Sequence, residues 1–130
     1  MIVVDASAVL EVLLNTPAGG PVARRLFRQG ETLHAPHLID LEIAQVLRRY
    51  ARDREIDPGR GRQAIADLAD FSITRYPHDL FLPRIWELRN SMTAYDAAYV
   101  SLAETLEAPL VTRDAALARA SAHRARVELL

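Results

Sequence analysis

A chain of 130 residues, half hydrophobic and a quarter charged, suits one compact domain spanning 1–130. With no cysteine, a disulfide framework, thiolate chemistry and Cys-ligated zinc are excluded, and a reducing, cytoplasmic setting is expected. The formal net charge of −1 argues against a globally basic nucleic-acid binder, and because all 16 basic residues are arginine, mechanisms that need a lysine are excluded.

Ile2-Val3-Val4 reads as a strand buried on both faces, starting too early to leave room for a signal peptide. No apolar run approaches the ~18–20 residues that span a bilayer, so no membrane segment is expected. Asp5 follows the strand directly, and Ala8 to Leu14 reads as a helix. Pro17 to Pro21 is a turn cluster. A second helix is predicted from Val22 to Gln29, stopped by Gly30.

Leu33 to Pro36 is a short strand. His37 to Arg54 forms the longest helix, with Ile39, Ile43, Val46, Leu47 and Tyr50 on one face. Pro58 opens a helix running to Asp70, with Ile65, Leu68 and Ala69 facing inward. Phe71 to Tyr76 is a third strand, and Asp79 to Arg89 a helix carrying Leu82, Ile85, Trp86 and Leu88. Thr93 is an N-cap for the helix Ala94 to Glu107. Pro109 to Thr112 is a fourth strand, Ala115 to Ala122 a short helix, and Arg126 to Leu130 a candidate last strand. Alternation of strand and helix predicts an α/β fold of three layers, a mainly parallel sheet of four to five short strands flanked by helices.

Four carboxylates stand out by position. Asp5 and Asp114 each follow an apolar strand, so both project at the same rim of a parallel sheet, where ligands bind in open α/β folds. Glu42 falls at the border of the apolar face of its helix, beside Ile39 and Val46. Asp96 lies in the first turn of its helix, flanking the Tyr95, Tyr99, Leu102, Leu106 face. Each has a plainer reading: Asp5 and Asp114 as helix caps, Asp96 as an acid at a helix N-terminus, Glu42 as an arginine's partner. The fourfold coincidence favours a shared role. Crowded carboxylates resist joint ionisation, and a divalent cation reverses that penalty. Mg²⁺ and Mn²⁺ prefer oxygen donors and assist phosphodiester hydrolysis.

Ile2 to Ser7, Leu41-Glu42 with Val46-Leu47, Thr93 to Tyr99, and Leu110 to Asp114 together resemble the PIN domain, and more narrowly the VapC-type toxins of bacterial toxin–antitoxin pairs. The resemblance covers essentially the whole chain. It implies an Mg²⁺- or Mn²⁺-dependent endoribonuclease, acting on RNA, restrained by a cognate antitoxin and usually a homodimer. By position, Asp5, Glu42, Asp96 and Asp114 match the family's catalytic metal site, with Ser7 and Thr112 as polar neighbours supporting it.

Arg113, beside Asp114, and Arg89-Asn90, in the loop before Asp96, are candidate substrate contacts. Arg48, Arg49, Arg52 and Arg54, and the cluster Arg24, Arg25 and Arg28, read mostly as solvated helix faces. His34, His37, His78 and His123 are scattered and read as surface or loop residues, while Tyr76, Phe81, Trp86 and Tyr99 read as core. Ser7 lacks the glycines of a nucleophile elbow. A receiver domain would need a lysine, and a haloacid-dehalogenase-type phosphatase an aspartate at Ser7. A PIN nuclease of RNA processing and a non-catalytic PIN-like module remain as alternatives.

Overall fold

The computed structural model describes residues 1–130. Five short strands, β1 (Ile2–Val4), β2 (Leu33–Pro36), β3 (Ile73–Tyr76), β4 (Leu110–Thr112) and β5 (Val127–Leu129), form one sheet in the order β3-β2-β1-β4-β5. Every neighbouring pair is parallel. Helices α1 (Ala6–Leu13), α2 (Gly19–Leu26), α3 (Leu38–Arg52), α4 (Pro58–Asp70), α5 (Leu82–Glu87), α6 (Ala94–Leu106) and α7 (Ala115–Arg119) supply the outer layers. The three-layer expectation therefore holds, with the fifth strand present.

β1 is central because all three of its residues are apolar and essentially inaccessible, as a strand covered on both faces requires. The chain runs from β1 outwards to β2 and β3, then returns to place β4 on the other side of β1. The direction of winding thus reverses between β1 and β4. At such a switch point the connections diverge and leave a crevice beyond the strand C-termini. Asp5 and Asp114 stand at the two lips of that crevice.

A contiguous core of 29 buried residues packs on the sheet. α3 contributes Ile39, Ile43 and Leu47, spaced four apart along one stripe. α6 contributes seven consecutive buried residues, Ala97 to Ala103, and so is covered nearly all round. Gly19 permits α2 to cross close to α1: a Cβ there would stand 2.5 Å from the carbonyl oxygen of Glu11.

Several local expectations change. α2 ends at Leu26, and Gly30 (φ 79°) shapes the following turn instead of closing the helix. The helix expected over 79–89 is a 3₁₀ turn, Asp79–Phe81, followed by α5. Pro83 has no N–H to return to Asp79, so a continuous α-helix would lose a bond there. α4 turns Gly61, Ala64 and Leu68 inward, whereas Ile65 and Ala69 are exposed. Small residues on that face let α4 approach α1 and α3. Trp86 is 68% exposed and Leu82 and Tyr95 are also exposed, so these apolar residues face outward and not into the core.

His34 is buried in β2, not on the surface. One ring nitrogen lies 2.8 Å from Thr32 Oγ1 and the other 2.8 Å from Tyr76 Oη, so both are satisfied. Burial pushes its pKa down and favours the neutral ring.

Candidate active site

Asp5 is the most buried acid of the crevice. It ends β1 and caps α1, its Oδ1 accepting from the Ala8 amide at 3.1 Å and the Ser7 hydroxyl at 2.6 Å. Its Oδ2 accepts from the Thr112 hydroxyl. Burial raises the Asp5 pKa, opposed by the Ser7, Thr112 and Ala8 bonds and reinforced by the charge of Asp114.

Ser7 and Thr112 knit the two lips together. Thr112 Oγ1 accepts from the Asp114 amide at 2.9 Å, and Ser7 Oγ accepts from the Arg113 amide at 2.9 Å. Both hydroxyls are therefore committed to fixing acids and backbone, which is a supporting role and not a nucleophile's. Asp114 caps α7, Oδ1 accepting from the Ala116 and Leu117 amides, so its Oδ2 stays free.

α6 begins at Thr93, whose hydroxyl accepts from the Asp96 amide at 3.1 Å. That cap fixes the helix start and hence the position of Asp96. Burial raises the Asp96 pKa, followed by repulsion from Asp114 and Asp5, with the Thr93 hydroxyl opposing. One turn on, Tyr99 donates from Oη to Glu42 Oε1 at 2.6 Å, joining α6 to α3. Burial also raises Glu42, with the Tyr99 bond opposing and Asp5 and Asp96 reinforcing. Tyr99, expected only as core, is buried and also orients an acid. Its i, i+3 spacing from Asp96 was the available signal.

The four acids thus face one crevice and feel one another's charge. As the side chains stand, no three of them form a ready coordination shell. Their carboxylate oxygens, Glu42 Oε2 and Asp114 Oδ2 free of protein donors among them, are hard donors with no nitrogen or sulfur. That set fits Mg²⁺ or Mn²⁺ and not zinc or copper. The cap roles of Asp5 and Asp114 leave lone pairs on each carboxylate, so capping does not exclude ligation.

The substrate-contact candidates are less free. Arg113 lies 3.6 Å from Glu11 and donates to the Leu130 carbonyl. Arg89 stacks 4.7 Å over Trp86 and bonds its carbonyl oxygen at 2.9 Å. Asn90 is exposed in the turn between α5 and Thr93. The largest cleft, about 690 Å³ between Leu26, Phe27, Asp70 and Phe71, lies at the opposite end of the strands and contains none of the four acids.

Residues 2–122 match the PIN domain family model. The chain belongs to the PIN-domain family, in its VapC branch. It is 42% identical over 130 residues to Ribonuclease VapC12 of Mycobacterium tuberculosis, covering 100% of this chain and 99% of that one. It is 48% identical over 114 residues to the VapC ribonuclease Mb0985 of Mycobacterium bovis, covering 88% and 86%. Among solved structures it resembles PAE2754 from Pyrobaculum aerophilum, with TM-score 0.70, 26% identity, and coverage of 97% and 81%.

Removing the Tyr99 hydroxyl takes away the sole protein donor to Glu42, whose pKa then climbs further. Tyr99→Phe is expected to cost about 1.5 kcal/mol of stability and to move the acid limb of the pH–activity profile upward. An unmoved limb with a lowered plateau would mean that Tyr99 only packs.

Proposed function

We propose that this protein is the toxin of a toxin–antitoxin pair, a Mg²⁺- or Mn²⁺-dependent endoribonuclease that hydrolyses RNA and is restrained by a cognate antitoxin. The observation that carries this reading is the convergence of Asp5, Glu42, Asp96 and Asp114 on the β1–β4 crevice, with three of them pushed to raised pKa values. Carboxylates disfavoured as anions by burial first and by one another second suit a bound cation. The name and full-length match of Ribonuclease VapC12 supports an RNA substrate.

In this reading Asp5, Glu42, Asp96 and Asp114 would hold the divalent ion, which would supply charge neutralisation and polarisation of a phosphoryl oxygen. Ser7, Thr112 and the Ala8 amide keep Asp5 from rotating, and Tyr99 aims Glu42 inward. Their preorganisation limits the reorganisation needed when substrate arrives. RNA as substrate makes the cytoplasm the place of action, and no helix is long and apolar enough to cross a membrane. The apolar surface of Leu41, Leu82 and Tyr95, exposed at 76%, 54% and 65%, supports a homodimer, because patches of that kind are rarely left to solvent.

The test is purified protein with RNA and Mn²⁺, set against EDTA. Cleavage is expected only with the metal. Mn²⁺ at about 100 times its Kd should stabilise the fold by about 2.7 kcal/mol. Cleavage undiminished in EDTA, or a melting temperature indifferent to Mn²⁺, would overturn the metal assignment.

A further inference from the structure

We propose that the groove running from Glu42 along α3 to Arg49 and Tyr50 is a nucleotide subsite, in which Arg49 takes a backbone phosphate of the RNA next to the one being cleaved. The proposal rests on the ribonuclease reading and adds to it a substrate path and a positioning residue. The groove, about 330 Å³, is bounded by Ser7 and Glu42 at one end and by Arg49 and Tyr50 at the other. Leu10 and Leu14 of the α1 end and Val46 of α3 supply apolar walls between them.

Helical spacing explains the alignment. Glu42, Val46, Arg49 and Tyr50 stand at i, i+4, i+7 and i+8, one stripe of α3. Arg49 is therefore about 10 Å along the helix axis from Glu42. That separation is too great for Arg49 to act on the reacting phosphate, and it places the guanidinium on a neighbouring one.

The Arg49 end of the groove suits an RNA phosphate. Arg49 is exposed and forms no ion pair, resting 5.6 Å over the Tyr50 ring with its guanidinium donors open. Glu11, the other acid in the groove, already accepts from the Thr16 hydroxyl and lies 3.6 Å from Arg113. By contrast Arg25, Arg75 and Arg84 are each held by carboxylates. An arginine without a protein anion, joined to a crevice of acids by apolar walls, matches a strand whose phosphate meets the cation while its base covers Leu10 and Val46. Stacking and apolar contact of that sort tolerate any base.

The experiment measures fluorescence anisotropy of a labelled single-stranded RNA, in EDTA, with the full chain, over a series of salt concentrations. Arg49→Met should weaken binding about tenfold and flatten the log–log salt slope by about 0.7, one phosphate contact on a single strand. In cleavage with Mn²⁺ the same variant should raise KM and leave kcat within about twofold. Arg28→Met, which removes an equal charge from an exposed site beyond α2, is the control and should leave the slope unchanged. Equal effects of the two variants would overturn the subsite while leaving the ribonuclease reading intact. Wild-type protein that neither binds nor cleaves RNA would overturn both. Undiminished RNA binding by Arg49→Met, together with loss of a co-expressed antitoxin from the purified complex, would assign the groove to that protein partner and overturn the proposal.

Discussion

Asp96→Asn is expected to abolish RNA cleavage, by at least about 100-fold, and at the same time to make the metal-free protein more stable. The two effects share one cause. Asp96 carries a carboxylate that burial disfavours and that Asp114 and Asp5 repel, effects that the Thr93 hydroxyl only partly offsets. Asparagine keeps the shape and removes the charge. One opposing effect must be weighed: an acid in the first turn of α6 is favoured by the helix dipole, at about 0.3–1 kcal/mol. The direction of the pKa shift has burial and repulsion outweighing the Thr93 bond, and the dipole contribution is of that smaller size. A gain on the order of 1 kcal/mol is the size common where function holds a site away from its stability optimum.

The pH dependence has a definite sign. Asp5, Glu42 and Asp96 all have folded-state pKa values above their ordinary ones. Across the window above the ordinary carboxylate range the native state binds more protons than the unfolded chain, so stability falls as pH rises. Below that window Asp96 is neutral, and wild type and Asp96→Asn should unfold alike. At neutral pH without metal the variant should melt higher. Saturating Mn²⁺ should then lift wild type more than the variant. A variant less stable than wild type at neutral pH, in EDTA, would mean that the Asp96 charge is compensated by the protein itself, and the cation would lose its rationale. Calorimetric scans at two pH values decide between these.

Much of this arrangement is legible in the sequence because it is local. An apolar triplet followed by an acid is a strand end, and Thr93 three residues before Asp96 is a capping pattern. The acids could be found because each breaks a local apolar rule. What crosses between elements was not legible. Nothing in the spacing of Tyr99 and Glu42, 57 residues apart, announces their hydrogen bond. His34 looks like any strand histidine until Thr32 and Tyr76 are seen to satisfy both nitrogens. Trp86, Leu82 and Tyr95 obey helical periodicity, yet periodicity reports only that a stripe is apolar and not whether it meets this core or another surface. Arg49 and the other α3 arginines read alike as a solvated face, since which of them lines a groove with Leu10 and Glu42 depends on tertiary packing.

Arg84→Met should be among the more damaging substitutions outside the active site, costing about 3 kcal/mol at neutral pH. Arg84 forks onto Glu104, Nε to Oε2 and Nη2 to Oε1, both at 2.9 Å. Its Nη1 reaches Glu87 at 2.9 Å, and Nη2 also approaches the Ala122 carbonyl at 3.3 Å. Glu104 in turn accepts from the Arg124 amide at 2.8 Å. One guanidinium thereby ties α5 to α6 and to the segment leading into β5. Ala122 in that segment has φ 67°, a left-handed conformation that alanine does not adopt without tertiary support. The Glu104 side chain is only 7% exposed, so methionine would replace Arg84's stem and leave a buried anion with only the Arg124 amide and the exposed Arg124 guanidinium, 3.9 Å away. Breaking a pair in this way costs more than the pair contributes, because desolvation of the orphan remains. Arg84 holds the Glu104 carboxyl below its ordinary pKa, and this stability is present at neutral pH and lost as pH falls through the carboxylate range. Urea unfolding at pH 7 and again in mild acid should therefore show a large deficit that narrows on acidification, as Glu104 takes up a proton. Cleavage by the folded fraction in the cold should be unaffected, since none of these groups touches the four acids. A deficit that stayed constant with pH would assign the loss to the packing of the Arg84 stem and not to its charge.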